Sequence, residues 1–73
     1  MMAPIWRNKI SEILDNRGLS ISDLQRMAQM SYSSAYRLAT SKIITDDTKA
    51  GTLRRVSQAL GVGVADLFEE VEE

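Results

Sequence analysis

The side chains that could do chemistry in this sequence are hydroxyls, carboxylates and cations, because the chain has no His and no Cys. The commonest general base and the readiest nucleophile are therefore both missing, along with the usual zinc and iron ligands. The carboxylates are spread along the chain, without a glycine-rich phosphate loop or a nucleophile motif. We therefore expect a protein that is not an enzyme and that needs no cofactor or metal.

One cluster of polar side chains is better suited to recognition than to catalysis. It lies in a segment whose apolar residues recur at steps of three and four, which predicts a helix with one buried stripe. At 100° per residue, Ser33 and Arg37 lie about 160° and 200° around this helix from the buried Ala35. Their neighbours on the outward face are Tyr36 and Thr40. An exposed Tyr beside an Arg suits contacts with phosphates and base edges, although a merely solvated helix face is the alternative interpretation.

The elements that position this cluster are predicted to be five short helices, and the fold class is therefore all-α. The first helix covers residues 5–17 and ends at Gly18, where Leu19 can contact Leu14 as in a Schellman ending. Its apolar stripe contains Trp6, Ile10, Ile13 and Leu14. We expect Trp6 to lie in the core, as aromatic residues on an apolar stripe usually do.

The second and third helices are short and are joined by about three residues. Ser20 and Asp23 form a capping-box pattern that opens the second helix, and Ser31 can cap the third. The loop 41–48 is polar enough to predict an irregular connection with room for a short extended piece.

Two further helices complete the predicted domain, which spans residues 1–73 with its core at about 5–70. The fourth is amphipathic and ends at Gly61. The fifth places Val64, Leu67, Phe68 and Val71 on one face, with Phe68 in the core, before an acidic tail at 69–73.

The second and third helices have the arrangement of a helix-turn-helix, in which the second helix of the pair enters the major groove of DNA. Four segments together resemble the Cro and phage-repressor family of bacterial helix-turn-helix regulators. They are LSISDL at 19–24, AYRL at 35–38, TLRRVSQALGV at 52–62 and DLFE at 66–69. Their order and spacing extend the resemblance from about Ile5 to Glu70.

The resemblance implies a lambda-repressor-like DNA-binding fold with a recognition helix from Tyr32 to Thr40. The base-contacting residues that it implies are Tyr32, Ser33, Tyr36 and Arg37. The phosphate-contacting residues that it implies are Ser20, Ser22, Ser34, Thr40 and Lys42. Physical chemistry supports part of this assignment, because a helix N-terminus attracts anions and the Arg37 fork suits guanine O6 and N7.

Three positions depart from the family pattern. Relatives usually carry Ala where Gln25 stands and Gly where Gln29 stands, because the two helices cross closely and the turn requires a positive φ. Relatives also carry a larger Ile or Val where Ala35 stands. We therefore expect Gln25 and Ala35 to face each other, the small residue compensating for the large one, and either Gln29 to be strained or the turn to be remodelled.

Charge is distributed unevenly along the chain. Residues 1–42 carry six Lys or Arg against three acidic residues, a net charge of +3, whereas residues 43–73 have a net charge of −4. DNA binding through the first half is therefore plausible, but a pI near 5.3 predicts weak non-specific affinity. Arg54 and Arg55 are expected to be ordinary surface charges. The short apolar runs and the Met-Met-Ala-Pro start predict no membrane span, no secretory signal and a cytoplasmic protein.

The predicted function is that of a sequence-specific transcriptional regulator, a repressor that acts by occlusion because the chain has no room for a ligand-sensing domain. It would bind double-stranded DNA as a homodimer, through an interface drawn from the fifth helix or the 43–48 loop. The alternative is a protein-interaction or antitoxin-like module on the same fold, with the acidic C-terminal half binding a protein partner.

Overall fold

The elements at both extremes of the fold are strands, where helices were predicted. A computed structural model describes residues 4–44 and 48–72. In chain order its elements are β1 (Pro4–Asn8), α1 (Ile10–Asn16), α2 (Ile21–Ala28), α3 (Tyr32–Thr40), α4 (Ala50–Leu60), a 3₁₀ turn (Val64–Leu67) and β2 (Phe68–Glu72). The prediction of five helices and an all-α fold is therefore wrong, whereas four of the predicted helices are present, the first of them shortened to Ile10–Asn16.

β1 and β2 form a two-stranded antiparallel sheet in which Ile5 lies opposite Val71 and Arg7 lies opposite Glu69. The other edge of β1 contacts the segment that follows α3. The Asn8 amide donates to the Lys42 carbonyl at 3.0 Å, and the Ile44 amide donates to the Trp6 carbonyl at 2.7 Å. The extended piece predicted in the 41–48 loop is thus present at residues 42–44, and residues 45–47 lie outside the described residues.

The predicted first helix begins too early because β1 depends on contacts that are remote in sequence. Arg7 pairs with Glu69, 62 residues away, and with Glu12 of α1. The spacing of apolar residues within 5–17 carries no information about a partner so distant in sequence. The prediction of a core position for Trp6 is also wrong, since the side chain is 43% exposed and packs edge-to-face on Phe68, with ring centroids 4.6 Å apart.

The predicted fifth helix is replaced by one 3₁₀ turn followed by β2. Asp66 accepts from the Gly63 amide at 2.9 Å and closes the turn at its start. The apolar residues at 64, 67, 68 and 71 fit a helical stripe, but they also fit a buried Leu67 followed by an alternating strand. Pairing with β1 selects the strand, and it leaves Phe68 half-buried against the core.

The helix ends follow their local signals closely. Gly18 has φ +66°, its amide donates to Asp15 at 3.2 Å, and the Leu19 amide donates to Leu14 at 2.9 Å, which confirms the Schellman ending. The capping box between Ser20 and Asp23 is also present. α4 ends at Gly61 with φ +70°, as predicted.

The core lies where α2 packs against α3 and α4. Leu24 of α2 and Ala35 of α3 are fully buried there, and Gln25 is half-buried. The buried residues are Ile10, Leu14, Leu24, Ala28, Ala35, Leu38, Ala39, Leu53, Val56, Leu60 and Leu67. A small Ala35 at the crossing lets α3 approach α2 closely, and the direct opposition of Gln25 and Ala35 stays a prediction.

Asn8 joins three elements through one half-buried side chain. Its Nδ2 donates to the carbonyls of Leu38 at 2.6 Å and Ser41 at 2.9 Å, and its Oδ1 accepts from the Ile10 amide at 2.9 Å. The Asn8 side chain therefore forms hydrogen bonds with carbonyls at the end of α3 and with a backbone N–H at the start of α1. These backbone groups have no partner within their own helices. This link fixes α3 relative to β1 and α1.

We predict that Asn8→Ala lowers the free energy of unfolding by about 1–3 kcal/mol, because it leaves part-buried carbonyls and an amide without their partner. Urea unfolding followed by circular dichroism measures the loss. Asn16→Ala is the matched control, since Asn16 is exposed and its substitution should change stability by no more than about 0.5 kcal/mol. Equal effects of the two substitutions would contradict this role of Asn8.

Gln29 is the one residue other than glycine with a positive φ among the described residues, at φ 54° and ψ 55°. A side chain in this left-handed region is strained, and glycine is not. Gln29→Gly should therefore stabilise the fold by about 0.5–1 kcal/mol. The reverse control is Gly61→Ala, which imposes a Cβ at φ +70° and should destabilise. A loss of stability in Gln29→Gly would show that its side chain contributes more than the strain costs.

Candidate nucleic-acid interface

The turn between α2 and α3 is built from three residues, as predicted. The Met30 amide donates to Gln25 at 3.1 Å, closing α2 behind the left-handed Gln29. Ser31 then caps α3, its Oγ accepting from the Ser34 amide at 3.2 Å. Each end of the turn is thus fixed by hydrogen bonds that the local sequence supplies, and α3 runs from Tyr32 to Thr40 with the predicted bounds.

α3 presents one side to the core and the opposite side to solvent. Ala35, Leu38 and Ala39 are buried, and the C-terminal end is held by Asn8. The Thr40 hydroxyl donates to the Tyr36 carbonyl at 2.7 Å, which adds a further tie to the last turn. A short helix held at both ends and along one side can present its outer side chains in a fixed orientation.

The four residues predicted to contact bases lie together on the outer side of α3. Tyr32 and Tyr36 are 48% and 53% exposed, and Ser33 and Arg37 are exposed beside them. With Thr40 they surround one shallow hollow. Within residues 4–44 and 48–72, the Arg37 guanidinium takes part in none of the ion pairs. Its donors are therefore available to a partner outside this part of the chain.

The five residues predicted to contact phosphates are all exposed, but they do not form one cluster. Ser20 and Thr40 line one depression between the start of α2 and the end of α3. Ser34 lies on the other flank of α3, in a groove against the start of α4. Ser22 lies in the first turn of α2, and Lys42 follows the end of α3. The prediction thus places polar groups on both flanks of α3.

A basic groove on the α4 flank was missed by sequence reasoning. Arg37, Lys49 and Arg55 all line it, together with Ser34, and no carboxylate is found among its lining residues in the described part of the chain. Arg55 is exposed, as expected of a surface charge, but its place in this groove was not predicted. The spacing of three between Lys49, Thr52 and Arg55 could have indicated this shared face.

A comparison with protein families decides the identity of the fold, since the model for the Cro/C1-type helix-turn-helix DNA-binding domain matches residues 9–73. The chain belongs to this family. The Cro/C1-type assignment agrees with the geometry of α2 and α3 and identifies DNA as the partner. No curated protein and no solved structure is significantly similar to the chain.

Three further findings accompany the Cro/C1-type assignment. Families of this kind are typically not enzymes. Among the helices that the structure describes, none combines the length and apolar character needed to cross a membrane. In the same described ranges, His, Cys, Asp and Glu form no group of three or more that could hold a metal ion.

The start of α2 in this Cro/C1-type domain carries a carboxylate as well as the predicted phosphate contacts. Asp23 accepts from the Ser20 amide at 2.9 Å and from Arg26 at 3.0 Å. These bonds, the Ser20 backbone bond above all, hold the pKa of Asp23 below its ordinary value of 3.8. The Ser20 amide is therefore already used, so a phosphate at this end would be bound by the Ser20 hydroxyl and by the amides of the first turn.

Proposed function

We propose that this Cro/C1-type domain is a sequence-specific transcriptional repressor that binds an inverted repeat as a homodimer and acts by occluding its site. The observation that carries the proposal is the position of Arg37, in the middle of the exposed side of a helix held at both ends. A bidentate guanidinium at this position suits O6 and N7 of a guanine in the major groove. Tyr32, Ser33 and Tyr36 would contact the neighbouring base pairs.

The two flanks of α3 support the same arrangement. The major groove is about 12 Å wide and is bounded by a phosphate backbone on each side. Ser20 and Ser22 on one flank would contact one backbone, and Thr40 there would exchange its hydrogen bond to the Tyr36 carbonyl for one to a phosphate. Ser34, Lys49 and Arg55 on the other flank would contact the opposite backbone, and Lys42 at the end of α3 would add a further phosphate contact. Contacts on both sides hold a helix in register while its outer face reads bases.

We predict that Arg37→Ala costs about 1–3 kcal/mol on the preferred site and much less on random DNA, because only the preferred site presents its guanine. Arg37→Lys keeps the charge without the fork, so it should lose most of the specificity and little of the non-specific affinity. Lys42→Ala should weaken all sequences similarly and reduce the salt slope by about one unit per half-site.

The measurement is fluorescence anisotropy on selected and random duplexes across a salt series. Arg54→Ala is the matched control, since Arg54 is exposed on α4 and does not line the groove. It removes the same charge and should leave specificity intact. Equal losses for Arg37→Ala on selected and random duplexes would contradict the base contact. Failure of the wild-type protein to bind any duplex from a randomised pool at low salt would contradict DNA recognition itself.

The homodimer is supported by the size of one module and by an apolar patch on the sheet. One small domain contacts too few base pairs for useful specificity. Ile5, Ile43 and Val71 lie on the face of the sheet opposite to that of Asn8 and Phe68, beside the Arg7 and Glu69 ion pair, and Ile43 is 43% exposed. This patch replaces the predicted fifth helix as the proposed interface, and it retains the predicted contribution of the 43–48 loop.

We expect sedimentation to show a dimer on DNA. Footprinting should show two protected half-sites one helical turn apart, because the two recognition helices of the dimer would lie about 34 Å apart. Ile43→Glu should weaken the dimer because it introduces a charge into the apolar patch. The control is Val64→Glu, an equally drastic change at an exposed residue of the 3₁₀ turn. A monomer both free and on DNA, with one protected half-site, would contradict the proposal.

A protein-interaction module remains the second candidate, and one feature of β2 favours it. Within the described residues β2 pairs with β1 alone, so its outer edge has backbone groups available to a further strand. The exposed Glu69 and Glu70 would select a basic partner. Absence of duplex binding at low salt would favour this function over DNA recognition.

A further inference from the structure

We propose that Tyr32 and Tyr36 read the C5-methyl group of a thymine that lies within one or two base pairs of the guanine bound by Arg37. This inference rests on the proposed function, and it names a chemical feature of the DNA site. The two tyrosines follow each other by one helical turn on the exposed side of α3. Their rings lie 24° from parallel with centroids 6.3 Å apart.

The hollow beside these rings has mostly carbon walls, although it lies on the polar side of the helix. One hydroxyl that could make it polar is already used, since Thr40 donates to the Tyr36 carbonyl at 2.7 Å. Two large aromatic side chains about half exposed on a short helix leave much apolar area in water. Such an area favours contact with an apolar group on the partner.

Among the groups on the base edges of the major groove, the thymine methyl is the apolar one. The other features that distinguish base pairs there are hydrogen-bond donors and acceptors, which carbon walls do not satisfy. The carbon part of the hollow therefore complements a thymine methyl, whereas Ser33 and Arg37, which also line it, can pair with polar base atoms. Arg37 lines the same hollow as the tyrosines, so the thymine and the guanine must lie close together along the groove.

The charge of the domain adds an independent argument. Among the described residues that line the hollow, Arg37 is the only cation, and the whole chain has a net charge of −1. Long-range attraction to phosphates is therefore modest. A contact between apolar groups strengthens binding without adding charge, and it discriminates between sequences in a way that salt does not screen.

The test compares duplexes that differ by single methyl groups. Sites are selected from a randomised pool, and each thymine of the half-site is replaced in turn by deoxyuridine, which removes the methyl and keeps every hydrogen-bonding group. At one or two positions the replacement should weaken binding about four-fold per half-site, the loss expected for one buried methyl. The ratio should stay constant across a salt series.

Substitutions then assign the effect to the rings. Tyr36→Ser and Tyr32→Ser should reduce or abolish the difference between thymine and deoxyuridine, and Tyr36→Phe and Tyr32→Phe should retain it. Arg54→Ala is the control, since Arg54 is exposed on α4 and does not line the hollow, and it should leave the difference unchanged. Thermal unfolding of each variant establishes that it is folded, and the ratio of two affinities for one variant is insensitive to its active fraction.

Each outcome supports or overturns the inference. Tight binding to selected sites without any effect of deoxyuridine would overturn it and leave the proposed function standing, as would selected sites that contain no thymine near the guanine. Loss of the difference in the Phe variants would assign the recognition to the phenol hydroxyl and would also overturn it. Failure to select any site would overturn the inference together with the proposed function.

Discussion

The side chain of Asn8 is the interaction on which the orientation of the recognition helix depends. α3 has nine residues, too few for a helix to be stable alone in water, and its last carbonyls have no partner within the helix. Asn8 supplies donors to two of these carbonyls and accepts from the start of α1. Since Asn8 is the last residue of β1, the orientation of α3 is determined by a strand, and that strand needs β2 from the other extreme of the fold.

The sheet register is therefore part of the DNA-binding architecture. Phe68 lies on the same face as Asn8 and packs on the core, while the Arg7 and Glu69 pair lies on the opposite face. A slip by one residue would exchange these faces and would bring Glu69 toward the core. Arg7 holds the pKa of Glu69 below its ordinary range. An exposed pair of this kind adds little stability, but a carboxylate and a guanidinium directly opposite each other favour one register over its neighbours.

The features that sequence analysis predicted are those whose causes lie within a few residues. Gly18, Ser20, Ser31 and Gly61 bound their helices through hydrogen bonds to residues at most five positions away, so their effect is visible locally. The resemblance to relatives further indicated a positive φ at Gln29, although the residue there is not glycine. The two strands and the position of Trp6 were missed because helical periodicity at 5–17 and 64–71 is compatible with both structures. Only the pairing of β1 with β2, which are distant in sequence, favours the strand over the helix in these segments.

The candidate site likewise combines features with local causes and features that depend on contacts between distant segments. The outer side of α3 follows from helix geometry, so Ser33, Tyr36 and Arg37 could be placed together from the sequence, and Tyr32 was added by the resemblance to the family. Lys49 and Arg55 join Arg37 only because α4 packs against α2 and the loop returns beside α3. Their charges also change the electrostatic argument. The net charge of −1 describes the whole chain, but at physiological salt a phosphate interacts mainly with charges within about 8 Å. A groove lined by Arg37, Lys49 and Arg55 can therefore attract a DNA backbone even though the chain as a whole is slightly acidic.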